Sequence, residues 1–258
     1  MLHKVKTLAG FTLHALDGEI GSVKELFFDD KHWTIRYLVV ETGDWLTGRQ
    51  VLISPYALGA LNDNEKHISI NLTKTQIEGS PLLEMHKPVS RQFEESYYGY
   101  YGWPMYSEGP YMWGAYPTIT HEHDTRTKHV RGETRWDPNL QSTNDVAGYH
   151  IQASDGEIGH VEDFIIDEDT WAIRYLVVNT RNWWPGKSLL VSSKWIERVD
   201  WNESKVFISL SRDAIKQAPE YSDASLITRD YEADLHNHYK QEGYWAHDLA
   251  LKSHTVTN

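Results

Sequence analysis

The sequence predicts an all-β protein with short helices, made of two small β-barrels in tandem that a helical and aromatic-rich linker joins. Three observations lead to this prediction. Long parts of the chain recur at a constant offset. An Asp-Gly pair between two apolar segments marks a β-hairpin at the same place in each copy. Each hairpin is followed by a run of β-branched and aromatic residues, which is typical of a buried strand.

The repeat is visible in two motifs. The sequence Asp-Gly-Glu-Ile-Gly begins at Asp17 and again at Asp155, which is an offset of 138 residues. The sequence Trp-x-Ile-Arg-Tyr-Leu-Val-Val begins at Trp33 and again at Trp171, at the same offset. Matches continue without a gap over 10–101. Because solenoid repeats have periods of only about 20–50 residues, we interpret the pattern as two copies of one domain.

Each copy is expected to contain the same strands in the same order. The stretch 58–64 and its counterpart 195–202 are interpreted as connections. Leu38 and Val40, like their equivalents one repeat later, are expected to be buried because their strand is apolar on nearly both faces. The expected strands are 11–15, 20–28, 35–41 and 68–72, and then 149–153, 158–166, 173–179 and 206–210.

Helices are expected after the strands of each copy. Thr73 or Thr75 can cap a short helix, as can Ser211 or Asp213 in the second copy. Longer helices are predicted over 88–101 and 226–239, with Ser90 and Thr228 as caps. Phe93, Tyr97 and Tyr101 then form an aromatic stripe on one helix face. The predicted domains are 1–82 and 140–221, with a helix and linker at 83–139 and a C-terminal helix and tail at 222–258.

Composition and charge exclude several classes of function. The chain has 258 residues, a formal net charge of −12 and no cysteine, which excludes disulfides and thiolate chemistry. An acidic chain gains nothing from neutralising phosphates, so no nucleic-acid partner is expected. No apolar run approaches the roughly 18 residues of a membrane span, and no secretory signal is seen, so we expect a cytoplasmic protein without membrane insertion.

The motifs that begin at Asp17 and Trp33, both within one small β unit, resemble the PRC-barrel family. The family takes its name from the cytoplasmic domain of the photosynthetic reaction centre H subunit. The resemblance covers about 8–81 and 146–219. The chain as a whole is similar to bacterial tandem PRC-barrel proteins, which carry an aromatic linker like the one at 100–104. The resemblance implies a non-enzymatic docking or assembly module without catalytic residues or a cofactor.

Charged residues within the repeat have structural interpretations. The carboxylates of Asp17 and Glu19 recur in the second copy and could form an acid–base pair, but the tight turn favours a structural role. Arg36 and Arg174 lie in the middle of strands. We expect each to pair internally, with Glu25 or Asp163, or to stack on a tryptophan, since buried charges need partners.

The unduplicated aromatic residues between the copies are the main candidates for binding. They either pack across the two barrels as a clamp or form an adhesive surface for another protein or for self-association, including a homo-oligomer. We expect Trp45 and its equivalent Trp183 to close the ends of the two barrels. Trp184, the residue after Trp183, is expected to be exposed. The candidate partner-binding residues are Tyr97, Tyr98, Tyr100, Tyr101, Trp103, Tyr111, Trp113 and Trp184.

A histidine cluster leaves a second class of function open. His121 and His123 form a His-x-His pair that could ligate zinc, nickel or copper. A metal-dependent or carbohydrate-active enzyme using this region is therefore one alternative to the assembly module. An electron-transfer accessory protein of photosynthesis is another, which follows from the likeness to the reaction centre H subunit.

Overall fold

The computed structural model describes residues 1–46, 48–81, 89, 91–104, 140–180, 187–222 and 226–246. Strands are the largest class of regular structure among these residues. The strands are β1 (Leu2–Lys4), β2 (Thr12–Ala15), β3 (Gly18–Asp29), β4 (Thr34–Glu41), β5 (Gln50–Ile53), β6 (Leu58–Asn62), β7 (His67–Ile70), β8 (Leu140–Ser142), β9 (His150–Ala153), β10 (Gly156–Asp167), β11 (Ile173–Asn179), β12 (Ser188–Ser192), β13 (Ile196–Asp200) and β14 (Lys205–Ile208).

Short helices connect and follow the strands. Single 3₁₀ turns precede β6 and β13, at Pro55–Ala57 and Ser193–Trp195. The α-helices are α1 (Val5–Leu8), α2 (Lys74–Glu78), α3 (Arg91–Tyr101), α4 (Thr143–Val146), α5 (Arg212–Lys216) and α6 (Arg229–His238). Among the described residues, no helix is both long and apolar enough to cross a membrane.

The strands form two sheets of seven. One has the order β5-β4-β3-β2-β7-β6, with β8 paired to β3, and the other has the order β12-β11-β10-β9-β14-β13, with β1 paired to β10. Strand β2 runs parallel to β7, as β9 does to β14. The predicted fold class, mostly β with short helices, is therefore confirmed. Within the described residues, however, neither sheet closes into a barrel.

The predicted hairpins are present at both sites. Ala15 pairs with Gly18, so that Leu16 and Asp17 form the turn, one residue earlier than the Asp-Gly pair suggested. Gly21 has a φ of +142°, and a Cβ there would lie 2.1 Å from the carbonyl oxygen of Glu41. Only glycine fits this approach of β3 to the next strand. The same close approach recurs one repeat later.

The interpretation of 58–64 as a connection is wrong, because its first five residues form β6, which pairs with β7. Gly59 and Ala60 have weak β-propensity, and the strand is specified by its partner rather than by its own residues. The same correction applies to 195–202, which contains β13. Thr73 caps α2 with a capping box, as predicted, and Thr228 caps α6. Ser90 lies outside the described residues.

The chain divides into two compact units, which are described separately. The first comprises Met1–Val146 and Asp163–Arg174, and the second comprises Ala147–Glu162 and Tyr175–Asn258. In the first unit Leu38 and Val40 are fully buried, and in the second Leu176 and Val178 are. The prediction that all four are buried is confirmed, since β4 and β11 are covered on both faces.

Candidate functional site

Helix α3 packs its aromatic residues on the sheet of the first unit. Tyr97 and Tyr98 are buried against Tyr37 of β4, with ring centroids 5.6 and 6.4 Å away from that ring. The Tyr97 hydroxyl donates a hydrogen bond to the Leu52 carbonyl oxygen at 2.9 Å and accepts one from the Ser54 amide at 3.1 Å. These two predicted binding residues therefore lie in the core, where they fix α3 to the sheet.

A buried carboxylate provides a second attachment of α3. Glu94 accepts hydrogen bonds from the Arg36 guanidinium and, at 2.9 Å, from the Tyr37 hydroxyl. The Arg36 side chain, only 4% exposed, also lies 3.8 Å from an oxygen of Asp29. A buried charge of this kind is tolerated because an opposite charge and hydrogen bonds compensate its desolvation.

The buried phenols of this site do not act as acids or bases near neutral pH. Burial raises the pKa of Tyr98 to about 12 and raises the pKa of Tyr37 well above its usual range. The negative charge of Glu94 raises the pKa of Tyr37 further, because it disfavours the tyrosinate form. Both side chains stay protonated and serve as hydrogen-bond donors or as packing groups.

Partly accessible aromatic side chains lie at the C-terminal end of α3 and beside it. Tyr100 is 45% exposed, and its hydroxyl donates to the Gln76 carbonyl oxygen at 2.9 Å. Tyr101 and Trp103 stack with ring centroids 4.4 Å apart, and Tyr56 lies 5.7 Å from the Trp103 ring. These three are half-buried. We call Tyr56, Tyr100, Tyr101 and Trp103 the α3 aromatic surface.

Helix α6 of the second unit has the corresponding buried carboxylate. Glu232 accepts hydrogen bonds from the hydroxyls of Tyr175 and Tyr244, at 2.9 and 2.8 Å. A guanidinium nitrogen of Arg229 lies 2.9 Å from its other oxygen. The offset of 138 residues relates Glu94 to Glu232, but no sequence pattern marks either as a buried anchor. Each lies next to strongly polar residues, which conceals the burial.

The residue that lies beside this anchor also differs between the copies. His236 occupies the place that Tyr98 has one repeat earlier, and its Nε2 lies 3.1 Å from the Tyr175 hydroxyl. Its Nδ1 lies 3.1 Å from the Glu242 carbonyl oxygen. Burial lowers the pKa of His236, so the imidazole is favoured in its neutral form.

Of the α3 aromatic surface only Tyr101 recurs, as the buried Tyr239. One repeat later, Tyr100 is replaced by His238 and Trp103 by Gln241. His238 is half-buried, with Nε2 2.8 Å from the Ala214 carbonyl oxygen, and Gln241 is exposed. The exposed Tyr100 and the half-buried Trp103 therefore have no aromatic counterpart at the equivalent positions of the second copy.

The charged residues of the repeat are internally paired, as predicted, but with different partners. Arg36 meets Glu94 and Asp29 instead of Glu25 or Asp163. Arg174 donates from Nε and Nη2 to one oxygen of Asp167, at 3.2 and 2.7 Å. Asp29 and Asp167 lie seven residues before their arginines, on the neighbouring strand. Glu94 lies on α3, and sequence spacing alone does not show that this helix packs against Arg36.

The turn carboxylates have a structural role. An oxygen of Asp17 accepts a hydrogen bond from the Lys74 amide at 2.8 Å, and Asp155 accepts one from the Arg212 amide at 2.7 Å. Each aspartate therefore satisfies a free amide in the first turn of a short helix. The interpretation of this turn as structural is confirmed.

Trp45 lies in the loop after β4. Its ring is half-buried and lies 5.5 Å from the Lys74 ammonium. It lines a shallow groove together with the acidic side chains of Glu19, Glu41 and Asp44. Its equivalent Trp183 lies outside the described residues.

Several predicted site residues also lie outside the described part of the chain. They are Tyr111, Trp113, Trp184, His121 and His123. Within the described residues, no three side chains of the types that bind metals are grouped closely enough to hold an ion. A metal site at His121 and His123 therefore stays a prediction.

Comparison with known proteins identifies the class of one domain. The family model of the PRC-barrel domain matches residues 141–215. PRC-barrel domains are non-enzymatic modules, which is consistent with a binding or assembly role. The matched segment runs from β8 to α5 and so contains the sheet strands that the second copy contributes. A search of curated proteins finds no match.

Proposed function

We propose that this protein is a non-enzymatic assembly module of the cytoplasm, with PRC-barrel domains at 1–82 and 140–221, that docks another protein on the α3 aromatic surface. The observation that carries the proposal is the exposure of Tyr100 near the end of α3, whose inner side is anchored, together with the half-buried ring of Trp103 just after the helix. Tyrosine and tryptophan are enriched where protein interfaces gain most of their binding energy.

The second PRC-barrel domain is supported by the equivalence of strand pairing. The pairs Leu38–Ile53 and Leu176–Val191 lie one repeat apart, in strands of the same order. Residues 1–82 also repeat the two motifs of the matched segment.

The buried polar groups support binding rather than catalysis. Glu94 and Glu232 are each directed into hydrogen bonds with tyrosine and arginine and are nearly fully buried. Such carboxylates stabilise the position of a helix. We also propose Tyr111, Trp113 and Trp184 as members of the docking region. Tyr111 and Trp113 belong to the same aromatic-rich sequence as Trp103, and Trp184 follows Trp183 in a sequence rich in aromatic residues of the second copy.

The test is affinity capture from a lysate of the organism that encodes the protein. The wild-type chain is compared with the double variant Tyr100→Ala, Trp103→Ala and with the matched control His238→Ala, Gln241→Ala. We expect a stoichiometric protein partner that the first variant loses and the control retains. Equal recovery by all three chains would contradict the docking site. Recovery of a membrane-bound electron-transfer complex would instead favour the alternative of a photosynthetic accessory protein.

A further inference from the structure

In the first copy a tyrosine hydroxyl covers the outer edge of the sheet. Strand β5 is the last strand of its sheet, so the amide and carbonyl groups of every second residue point away from β4. Two of these groups are the buried Leu52 carbonyl and Ser54 amide. The Tyr97 hydroxyl donates to the first at 2.9 Å and accepts from the second at 3.1 Å. One hydroxyl therefore satisfies a donor and an acceptor together.

Strand β12 presents the same two groups in the second copy. It is again the last strand of its sheet, and the Ser188 carbonyl accepts a hydrogen bond from the Tyr221 amide at 2.9 Å, so the Ser188 carbonyl points away from β11. Backbone directions alternate along a strand, and the Leu190 carbonyl and the Ser192 amide therefore point the same way. Both residues are buried, like their equivalents one repeat earlier.

The second copy has no hydroxyl at the position that would satisfy these two groups. Leu235, which is fully buried, stands where the first copy has Tyr97. Its side chain cannot form hydrogen bonds. Among the residues that the structure describes, no other group pairs with the Leu190 carbonyl or the Ser192 amide. Buried backbone groups are almost always paired, with protein atoms or with ordered water, because an unpaired group loses its hydration without compensation.

Two further hydroxyls on the same helix face also need a partner. Tyr231 precedes Leu235 by four residues on α6, and Tyr239 follows it by four at the end of the helix, so the three side chains share one face. In the described part of the chain both hydroxyl oxygens are shielded from solvent and neither has a hydrogen-bond partner. Burial raises the pKa of both phenols, to about 12 for Tyr231, so each keeps its proton and can donate it.

We propose that the second copy binds one water molecule between α6 and β12, which accepts a hydrogen bond from the Ser192 amide and donates one to the Leu190 carbonyl. A water molecule is both donor and acceptor, as the Tyr97 hydroxyl is, and buried waters typically make about three hydrogen bonds. Leucine lacks the outer part of the tyrosine ring, so the end of its side chain leaves room for this molecule. The hydroxyls of Tyr231 and Tyr239 are the candidates for its further hydrogen bonds.

The bound water gives α6 a different attachment from that of α3. A side chain joins helix to sheet edge in the first copy, whereas an exchangeable molecule does so in the second. The site lies within the second unit, is separate from the α3 aromatic surface and goes beyond the proposed docking function.

A crystal structure of the wild-type protein, at a resolution that reveals ordered water, tests the proposal. We expect a peak of electron density within about 2.7–3.2 Å of both the Ser192 nitrogen and the Leu190 oxygen. The matched control lies in the same crystal, because the Tyr97 hydroxyl occupies the equivalent place in the first copy and no water peak is expected there. A protein hydroxyl at the Ser192 amide, or no peak at all, would overturn the proposal.

Two substitutions at Leu235 test the site in solution. Leu235→Tyr brings the hydroxyl of the first copy to the edge of β12 and displaces the water, whereas Leu235→Phe adds the ring without the hydroxyl and leaves the two backbone groups unpaired. We expect the urea midpoint of Leu235→Tyr to exceed that of Leu235→Phe by about 0.4 M, the shift expected for one buried hydrogen bond. Tyr97→Phe in the first copy is the matched control and should lower the midpoint by a similar amount.

Equal midpoints for the two Leu235 variants would contradict the proposal. If neither variant folds, the crystal structure of the wild type decides alone. The purified protein is used without a partner, so neither result depends on the docking function.

Discussion

The attachment of α3 to its sheet can be tested by replacing Glu94 with leucine. The change leaves Arg36 buried without the Glu94 carboxylate, which costs about 3–5 kcal/mol when one member of a buried ion pair is removed. Asp29 stays 3.8 Å from the guanidinium and reduces this cost. The Tyr37 hydroxyl loses an acceptor, which adds about 1–3 kcal/mol. We therefore expect Glu94→Leu to lower the free energy of unfolding by about 3 kcal/mol.

Urea denaturation followed by tryptophan fluorescence measures this effect. With a slope of about 2–3 kcal/mol per molar urea, the midpoint falls by about 1 M. The matched control is Glu95→Leu, at an exposed neighbouring position, which should change stability by no more than about 0.5 kcal/mol. Adding Arg36→Met to Glu94→Leu should restore at least about 1 kcal/mol, since it removes a buried charge that has lost its closer carboxylate. Equal midpoints for the Glu94 and Glu95 variants would refute the reasoning.

Three further predictions concern the close approach at Gly21, the turn aspartate Asp17 and the buried His236. Gly21→Ala should destabilise the protein by about 3 kcal/mol in the same urea assay, because its Cβ meets a backbone oxygen at a positive φ. Gly99→Ala, in an open helical position, should instead stabilise it by about 0.5–1 kcal/mol. Asp17→Ala should lower the free energy of unfolding by about 1 kcal/mol, because the Lys74 amide in the first turn of α2 loses its hydrogen-bond acceptor. An unchanged urea midpoint would show that Asp17 does not stabilise this helix. Since folding lowers the pKa of His236, the unfolded chain binds more protons below about pH 6.5, so stability falls as the pH drops through that value. Thermal melts at pH 7.5 and 5.5 should show a smaller drop for His236→Asn than for the wild type, and identical drops would contradict this.

Much of the fold could be predicted from the sequence because its signals are local. The hairpin turn at Asp17 and the strongly apolar β4 are specified by short motifs that act within one copy. Thr73 could be recognised as a cap because the capping residue and Gln76 are three positions apart.

The short strands β1 and β8, each of which pairs with a strand of the other copy, could not be predicted in this way. Strands β1 and β8 have three residues each, which is too short for a period of two to be visible. Their partners lie more than a hundred residues away in the sequence, so only the tertiary structure identifies them. The weak β-propensity of β6 had the same effect, since pairing with β7 specifies it.

The candidate site was predicted in part. The aromatic residues of 97–103 could be located, because their concentration exceeds what the repeat explains. Which of them are buried depends on how α3 is rotated on the sheet, and that rotation is fixed by Glu94 meeting Arg36 across a separation of 58 residues. Sequence patterning places Tyr97 on the apolar stripe but gives no reason for Tyr98 to be buried beside it.

The long strands β3 and β10 each pair at their end with the short first strand of the other copy, and the whole arrangement of the two sheets depends on this pairing. Nuclear Overhauser contacts between backbone protons of the wild-type protein in solution test it most directly. We predict contacts of Lys4 with Ile165 and of Ser142 with Phe27. Contacts of Lys4 with Phe27 instead, which would place the first strand in the sheet of its own copy, would contradict the claim.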